Sequence, residues 1–525
     1  MRNYLIIILI LISTLAFSQE SRYSSDFEYF IEKLTETHPD PYSGFGGRIE
    51  FSREKENTKG RITDSMTSDE FIILMNQFLS NLNDGHTSLY FAKSENKGRK
   101  VFPLQLKISS DKIFVQNTTK DYENLTGSSI VGINNVSIDK WLLKTKSFFP
   151  SENISGEYFN LVKIITDHRL AHNFFNCSET LEITFSDNSN EEFSKIIPFQ
   201  EQVCFLNRKS KIEFDNDNGL LHYSMIGENH DIGYLAWNSI LSREVVENTR
   251  KNSPDGLQGI LSWAYSYLNE KQTGNTKEDV LKIPALYEQF YKLSKEMSEK
   301  SSKYLIIDLR ENSGGMTPIV NPLLYVLYGD RYLNFDFGAE MIRRISPLYL
   351  QKIGFGTIND FNQSYRSNLK IGDYLFDRFG NVDPNLSLEQ KREMLRSGYN
   401  GFGAEYLRKT EPMTGVEIFV LCSPKTFSAA YHFTYFLKRL GRTKIIGVAS
   451  RQAGNAFMET TNLTLPETGI SGSISNSRQV LFKETSQSAK ILKPDYEMTW
   501  EEFKKYGFDK NAEIIKTLEL IENNK

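Results

Sequence analysis

With 525 residues, 39% of them hydrophobic, and a formal net charge of −4, the chain can bury cores for more than one domain and is not a disordered segment. Both signs of charge are interspersed, so the sequence implies no nucleic acid and no membrane surface as a partner. Cys177, Cys204 and Cys422 stand in no CxxC or Cys/His ligand spacing, which leaves no cysteine metal site and room for one disulfide at most.

The chain opens with one arginine, an apolar run from Tyr4 to Ile12 and the small-x-small step Ala16-Phe17-Ser18. This is the pattern of a secretory signal peptide, 1–18, cleaved before Gln19, and it predicts an exported protein, periplasmic or extracellular. An uncleaved anchor is the competing reading, but the apolar stretch to Phe17 is short for a span of roughly 20 residues. Residues 19–98 read as a helical domain. Phe27, Phe30, Ile31 and Leu34 recur at helical spacing, as do Phe71, Leu74, Met75 and Phe78 behind a Thr67/Glu70 capping box. The second helix runs into Asn83-Asp84-Gly85, which leaves His86 in a loop just past its end.

Residues 99–205 change to short β-rich runs between turn residues. "GSSIVGINNVSI" has the form of a PDZ-like strand and Asn-Asn turn, and such a module holds an extended peptide on a sheet edge; a β spacer without ligand is the alternative. From 206 to 500, "DIGYLAW", "SKYLIIDLR", "VEIFVLC" and "TKIIGVA" are buried strand runs separated by helical stretches, the alternation of an α/β domain. Residues 243–300 and 338–412 read as helical insertions, either a lid or surface decoration, and 501–525 as a helical tail.

Two corners of that domain carry chemistry. In "LIIDLRENSGGM" a strand ends in Asp308 and Arg310, an ion pair that would fix the following loop, and then in Gly314-Gly315, whose amides can turn toward a ligand with no Cβ in the way. In "SPKTFSAAYHF" Ser428 stands at a helix start, where unpaired N–H groups favour negative charge and Ala429 leaves the backbone approachable. Ser428 is then a nucleophile beside an oxyanion site, or simply an N-cap. His86, in a loop from which its ring could project between domains, is the candidate base, a surface or satisfied core histidine being the other reading. His432, one turn after Ser428, is expected to pack in the core.

"LNDGHTSL", the β module, "YLIIDLRENSGG" and "VLCSPKTFSAA…GRTKIIGVAS" follow in the order seen in the S41 family of serine peptidases, which this chain resembles over nearly all of its mature length. The resemblance implies a helical N-terminal domain, a PDZ-like module and a ClpP/crotonase-like core, with Ser428 as nucleophile and oxyanion donors from Ala429 and the Gly314-Gly315 pair. Tail-specific processing peptidases of the family use a lysine base after the next strand. Here that loop is "GVASRQAGNAF", and Arg451 does not lose its proton near neutral pH. His86 instead matches the histidine of the tricorn-like branch, in which a serine precedes the base and a late glutamate completes the array. This chain has Gly85 before the histidine and Ser488 at the glutamate position, with Glu484 the nearest carboxylate. Glu484, with Ser488 beside it, is therefore the candidate that orients the base, and Pro494 and Asp495 are read as structural.

The expectation is an exported serine endopeptidase that cleaves peptides or unfolded tails through an acyl-enzyme, without metal or organic cofactor. A non-catalytic binder of peptides or apolar ligands on the same fold is the alternative. A crotonase-like acyl-CoA enzyme shares the oxyanion architecture but does not suit an exported chain.

Overall fold

The computed structural model describes residues 21–91, 100–177, 179–214, 219–268 and 270–523. The segment read as a signal peptide lies outside the described residues, and no helix among those described is long and apolar enough to cross a membrane.

Three helices, Arg22–Thr37, Arg48–Lys59 and Ser68–Leu79, form the N-terminal unit, and the Thr67/Glu70 capping box is present. Their apolar faces meet in a cluster of Phe27, Phe30, Leu34, Phe71, Met75 and Phe78 that continues into Leu463, Leu465 and Ile474 of the last domain. The short strand Ser88–Leu89 seals this junction, pairing antiparallel with Gly472 and Ser473. The loop holding His86 is thus clamped directly onto the domain that holds Ser428.

The middle module is a six-stranded antiparallel sheet. In it, Ser129–Ile133 and Val136–Ser137 flank an Asn134-Asn135 turn with both residues at positive φ, 49° and 60°. Helices Ile138–Lys146, Ile154–Thr166 and His168–Phe175 cover it, an addition to the β-only reading.

The last domain has two sheets. In the first, Ile232–Trp237, Tyr304–Asp308, Glu417–Cys422, Thr443–Gly447 and Tyr496–Glu497 run parallel, with Leu221–Ile226 antiparallel at one edge. The four strand runs read from the sequence are its centre. Asn455–Thr464 and Ser471–Val480 form a hairpin in the second sheet, which Ala339–Arg344 and Tyr374–Phe379 extend. The 338–412 segment is therefore not an all-helical insertion: its two strands build this sheet. Residues 243–300 are helical as expected, yet Val245, Val246, Leu286 and Phe290 lie in the main core, so they are integral and not decoration. The tail helices Trp500–Lys505 and Ala512–Glu522 pack Phe503 and Ile514 against Ile306, Phe419 and Leu421 under the parallel sheet. All three cysteines are free thiols, Cys422 and Cys177 buried and Cys204 exposed.

Candidate active site

Ser428 sits between the strand Glu417–Cys422 and the helix Ala429–Leu440 with φ 53° and ψ −123°. A non-glycine residue there costs on the order of 1–3 kcal/mol and persists only where its surroundings impose it. They do so from two sides. The Thr426 hydroxyl donates to Leu309 O at 2.7 Å and Phe427 N donates to Asn312 O at 3.1 Å, which fixes the corner to the loop after Asp308. Ser450 Oγ donates to Thr426 O, and Ser428 N donates to the buried Gln452 side chain. The Ser428 side chain makes no capping bond, so the N-cap reading is not what the structure shows.

The Ala429 N–H, the first of the helix, donates to no acceptor among the described residues. The Gly314-Gly315 turn lies against it: a Cβ on Gly314 would stand 2.7 Å from Ser428 Cβ and 3.1 Å from Ala429 N, at φ 111°. Only glycine permits that approach. The Gly314 N–H itself is taken by Asn312 Oδ1 at 2.9 Å, whereas the Gly315 N–H has no acceptor among the described residues. The N–H groups left without an acceptor among the described residues are thus those of Ala429 and of Gly315, the residue after the one that packs on Ser428, and Gly314 contributes the close approach.

His86 is brought to this corner from the N-terminal unit. Its ring stacks on Phe427, the residue before Ser428, with centroids 4.4 Å apart and planes at 23°. It makes no hydrogen bond to Ser428, and both ring nitrogens are buried with no hydrogen bond to any described residue. Asp84 shapes the loop: its Oδ1 accepts from His86 N at 2.8 Å, and its Oδ2 accepts from Thr87 Oγ1 and lies 3.3 Å from His38 Nε2. Burial opposes the Asp84 charge, but the His38 hydrogen bond, the His38 and His86 charges and the Thr87 hydroxyl outweigh it and hold the carboxyl at about 2. Ser473 Oγ donates to His86 O at 2.7 Å and Ser475 N to Thr87 Oγ1 at 3.0 Å.

The carboxylate that faces the imidazole is Glu152, 3.6 Å from His86 Nδ1, with Asp84 at 4.0 Å. Glu152 comes from the middle module, one residue before the Asn153 cap of helix Ile154–Thr166. It accepts from Gly85 N at 3.1 Å and Ala453 N at 2.8 Å. Burial pushes its carboxyl above the usual range, against the His86 and Ala453 contacts. No local sequence pattern marks Glu152, because domain packing alone brings it here. Asp84, His86 and Glu152 present ligand atoms within 4.8 Å of one another and are the group of described residues able to hold a metal ion, although the carboxylates already accept N–H and O–H donors.

Glu484 and Ser488 are not brought to the imidazole. Glu484 forms a surface ion pair with Arg478 at 2.6 Å, and Ser488 lies in the 3-10 turn Gln487–Ala489 with its carbonyl against Gly454. Their separation follows from the hairpin: the chain beyond Val480 turns out of the sheet toward solvent before it reaches Pro494. Asp495 accepts from Ile445 N at 2.8 Å, a structural role. Asp308 and Arg310 form the expected pair at 2.6 Å, extended by Tyr234 OH on Asp308 and by Glu513 on Arg310. His432 is buried between Thr317 Oγ1 at 2.8 Å and Gln479 Oε1 at 2.7 Å, a core residue as expected.

Residues 279–498 match the profile of Peptidase family S41. Among solved structures, mature CPAF complexed with lactacystin is 14% identical, with a TM-score of 0.55 over 95% of this chain and 99% of that one. The photosystem II D1 C-terminal processing protease is 12% identical, with a TM-score of 0.38 over 92% and 94%. None of the curated proteins matches the chain. At these identities the structural likeness concerns the fold.

Proposed function

We propose that this chain, whose residues 279–498 match peptidase family S41 and contain Ser428, is a serine-type peptidase that cleaves unstructured polypeptide through an acyl-enzyme made on Ser428. His86 Nε2 takes the hydroxyl proton as Oγ attacks the scissile carbonyl. The oxyanion is received by the N–H groups of Ala429 and Gly315, each such donor being worth about 3 kcal/mol in the transition state. His86 then protonates the leaving amine, and water completes the cycle by the same route. Glu152, beside Nδ1, holds the ring in the orientation that presents Nε2 and stabilises the imidazolium.

One observation carries the reading: an uncapped serine in a strained corner, flanked by two unpaired amides, with an imidazole stacked on its neighbour. Catalytic hydrogen bonds of unliganded enzymes are commonly long and tighten when substrate binds, which suits a His86 ring that is adjacent to Ser428 without bonding to it. The departure at Ser488, which favoured a non-catalytic binder, is met by Glu152. The apolar leader Tyr4–Ile12 supports export of the mature chain from Gln19 onward. The sheet of the middle module offers an edge for an extended substrate. The test is hydrolysis of an unfolded protein by the mature chain: turnover that Ser428→Ala abolishes supports the proposal, and turnover that persists in that variant contradicts it.

A further inference from the structure

A cavity of about 420 Å³ adjoins the Gly85–Glu152 contact, walled by residues 87–91, by the helix Ile154–Thr166, and by Phe427 and Arg451. Gly156, Phe159, Asn160 and Lys163 line it at three- and four-residue spacing, so one face of that helix is turned to the cavity. Its walls carry one more cation than carboxylates. Glu152 is occupied by the Gly85 and Ala453 amides, and Asp167 by the Arg169 amide and guanidinium. Three cations, Lys163, Arg169 and Arg451, thus face two carboxylates, and Lys163 and Arg451 are the two without a hydrogen bond to either carboxylate among the described residues. The Lys163 ammonium stands over the Phe149 ring, 5.9 Å from its centroid, with no hydrogen bond or close ion pair to any described residue.

Arg451 is fixed in a different way. Its guanidinium lies over the rings of Phe159 and Phe427, 4.1 and 4.3 Å from their centroids, and its one hydrogen bond is a long one, 3.3 Å, to Pro424 O. Burial pushes it down to about 10, the Glu152 charge opposing. An arginine held against two aromatic rings, with one hydrogen bond among the described residues, is a preorganised receptor for a planar anion. Through Phe427 it is also next in line to Ser428, and this gives the arginine in the "GVASRQAGNAF" loop a role that proton transfer denies it.

We propose that this cavity is an anion site of the substrate cleft, which takes a carboxylate of the bound polypeptide, on an acidic side chain or at the chain's C-terminus, between Lys163 and Arg451. The proposal deepens the peptidase reading and rests on it for the ligand being a polypeptide.

The test is binding to the full mature chain carrying Ser428→Ala, which cannot turn substrate over, so its result does not depend on whether the wild type cleaves. Three peptides with one N-terminal dye and one sequence are compared by fluorescence anisotropy: a neutral one with an internal Gln and an amidated end, one with Glu in place of that Gln, and one with a free C-terminal carboxylate. At least one charged peptide is expected to bind about tenfold tighter than the neutral one, and which one does so identifies the source of the carboxylate. That ratio falls toward one in Lys163→Met and in Arg451→Met and is restored in Lys163→Arg. Equal affinities for all three peptides, no binding of any, or a preference that survives both substitutions overturns the proposal. Failure of the peptidase reading would show separately, as wild-type protein that hydrolyses nothing.

Discussion

Gly85 and Glu152 meet at a distance that leaves no room for a side chain: the Gly85 N–H donates 3.1 Å to Glu152 Oε1, and a Cβ on Gly85 would lie 2.8 Å from that oxygen and 3.2 Å from the Phe427 ring. The glycine before the histidine and the carboxylate from the middle module are therefore two halves of one arrangement. Gly85→Ser is expected to push Glu152 off His86 and lower kcat by about tenfold or more while the melting temperature stays within a few degrees. Steady-state kinetics of the variant with unchanged kcat would break the link between these residues.

If Glu152 orients the base, Glu152→Gln should lower kcat by roughly 10²-fold or more, because an amide can present the imidazole with the wrong tautomer. Glu484→Gln and Ser488→Ala, which alter groups remote from His86, should leave kcat within about twofold. The three variants assayed side by side decide which residue holds the role.

Gly314→Ala places a methyl 2.7 Å from Ser428 Cβ and 2.9 Å from Phe427 O at a backbone φ of 111°. The corner must shift, and with it the alignment of the Ala429 and Gly315 donors, so a loss of about 10²-fold or more in kcat is expected. The strain should also cost on the order of 1–3 kcal/mol of stability, readable in denaturant unfolding.

Burial pushes the His432 imidazole down to about 4, with the Gln479 hydrogen bond opposing and the His86 charge assisting. An unfolded histidine titrates near 6.5, so between those values the unfolded chain binds a proton that the native one refuses. Stability is intact above about 6.5 and falls as pH drops through that window, by about 3 kcal/mol from this residue. The difference in unfolding free energy between wild type and His432→Gln, measured from pH 7 to pH 4, should change by that amount. A flat difference would contradict the assignment.

The parallel strands were legible because each is a short, wholly buried apolar run, and the first helices because their buried residues recur at three and four. Ser428 and the glycine pair were legible because their chemistry depends on local turns. The strands Ala339–Arg344 and Tyr374–Phe379 were not: the second is largely exposed and lacks the alternation that marks a half-buried strand. The helix Ile138–Lys146 carries Ile138, Trp141, Leu142 and Thr145 at helical spacing, a pattern masked by the β-rich runs on either side. Glu152 was out of reach for another reason. Its role comes from a contact between three units of the chain, and nothing in "FFPSENIS" sets it apart from an ordinary residue ahead of a helix cap.

The central claim is that His86 activates Ser428 for attack. Labelling by a fluorophosphonate, which phosphonylates an activated serine as fluoride leaves, tests it without knowledge of the substrate. The wild type should label, Ser428→Ala should not label at all, and His86→Ala should label at least about 10²-fold more slowly. Labelling of His86→Ala at the wild-type rate would show that another group takes the serine's proton and would contradict the account.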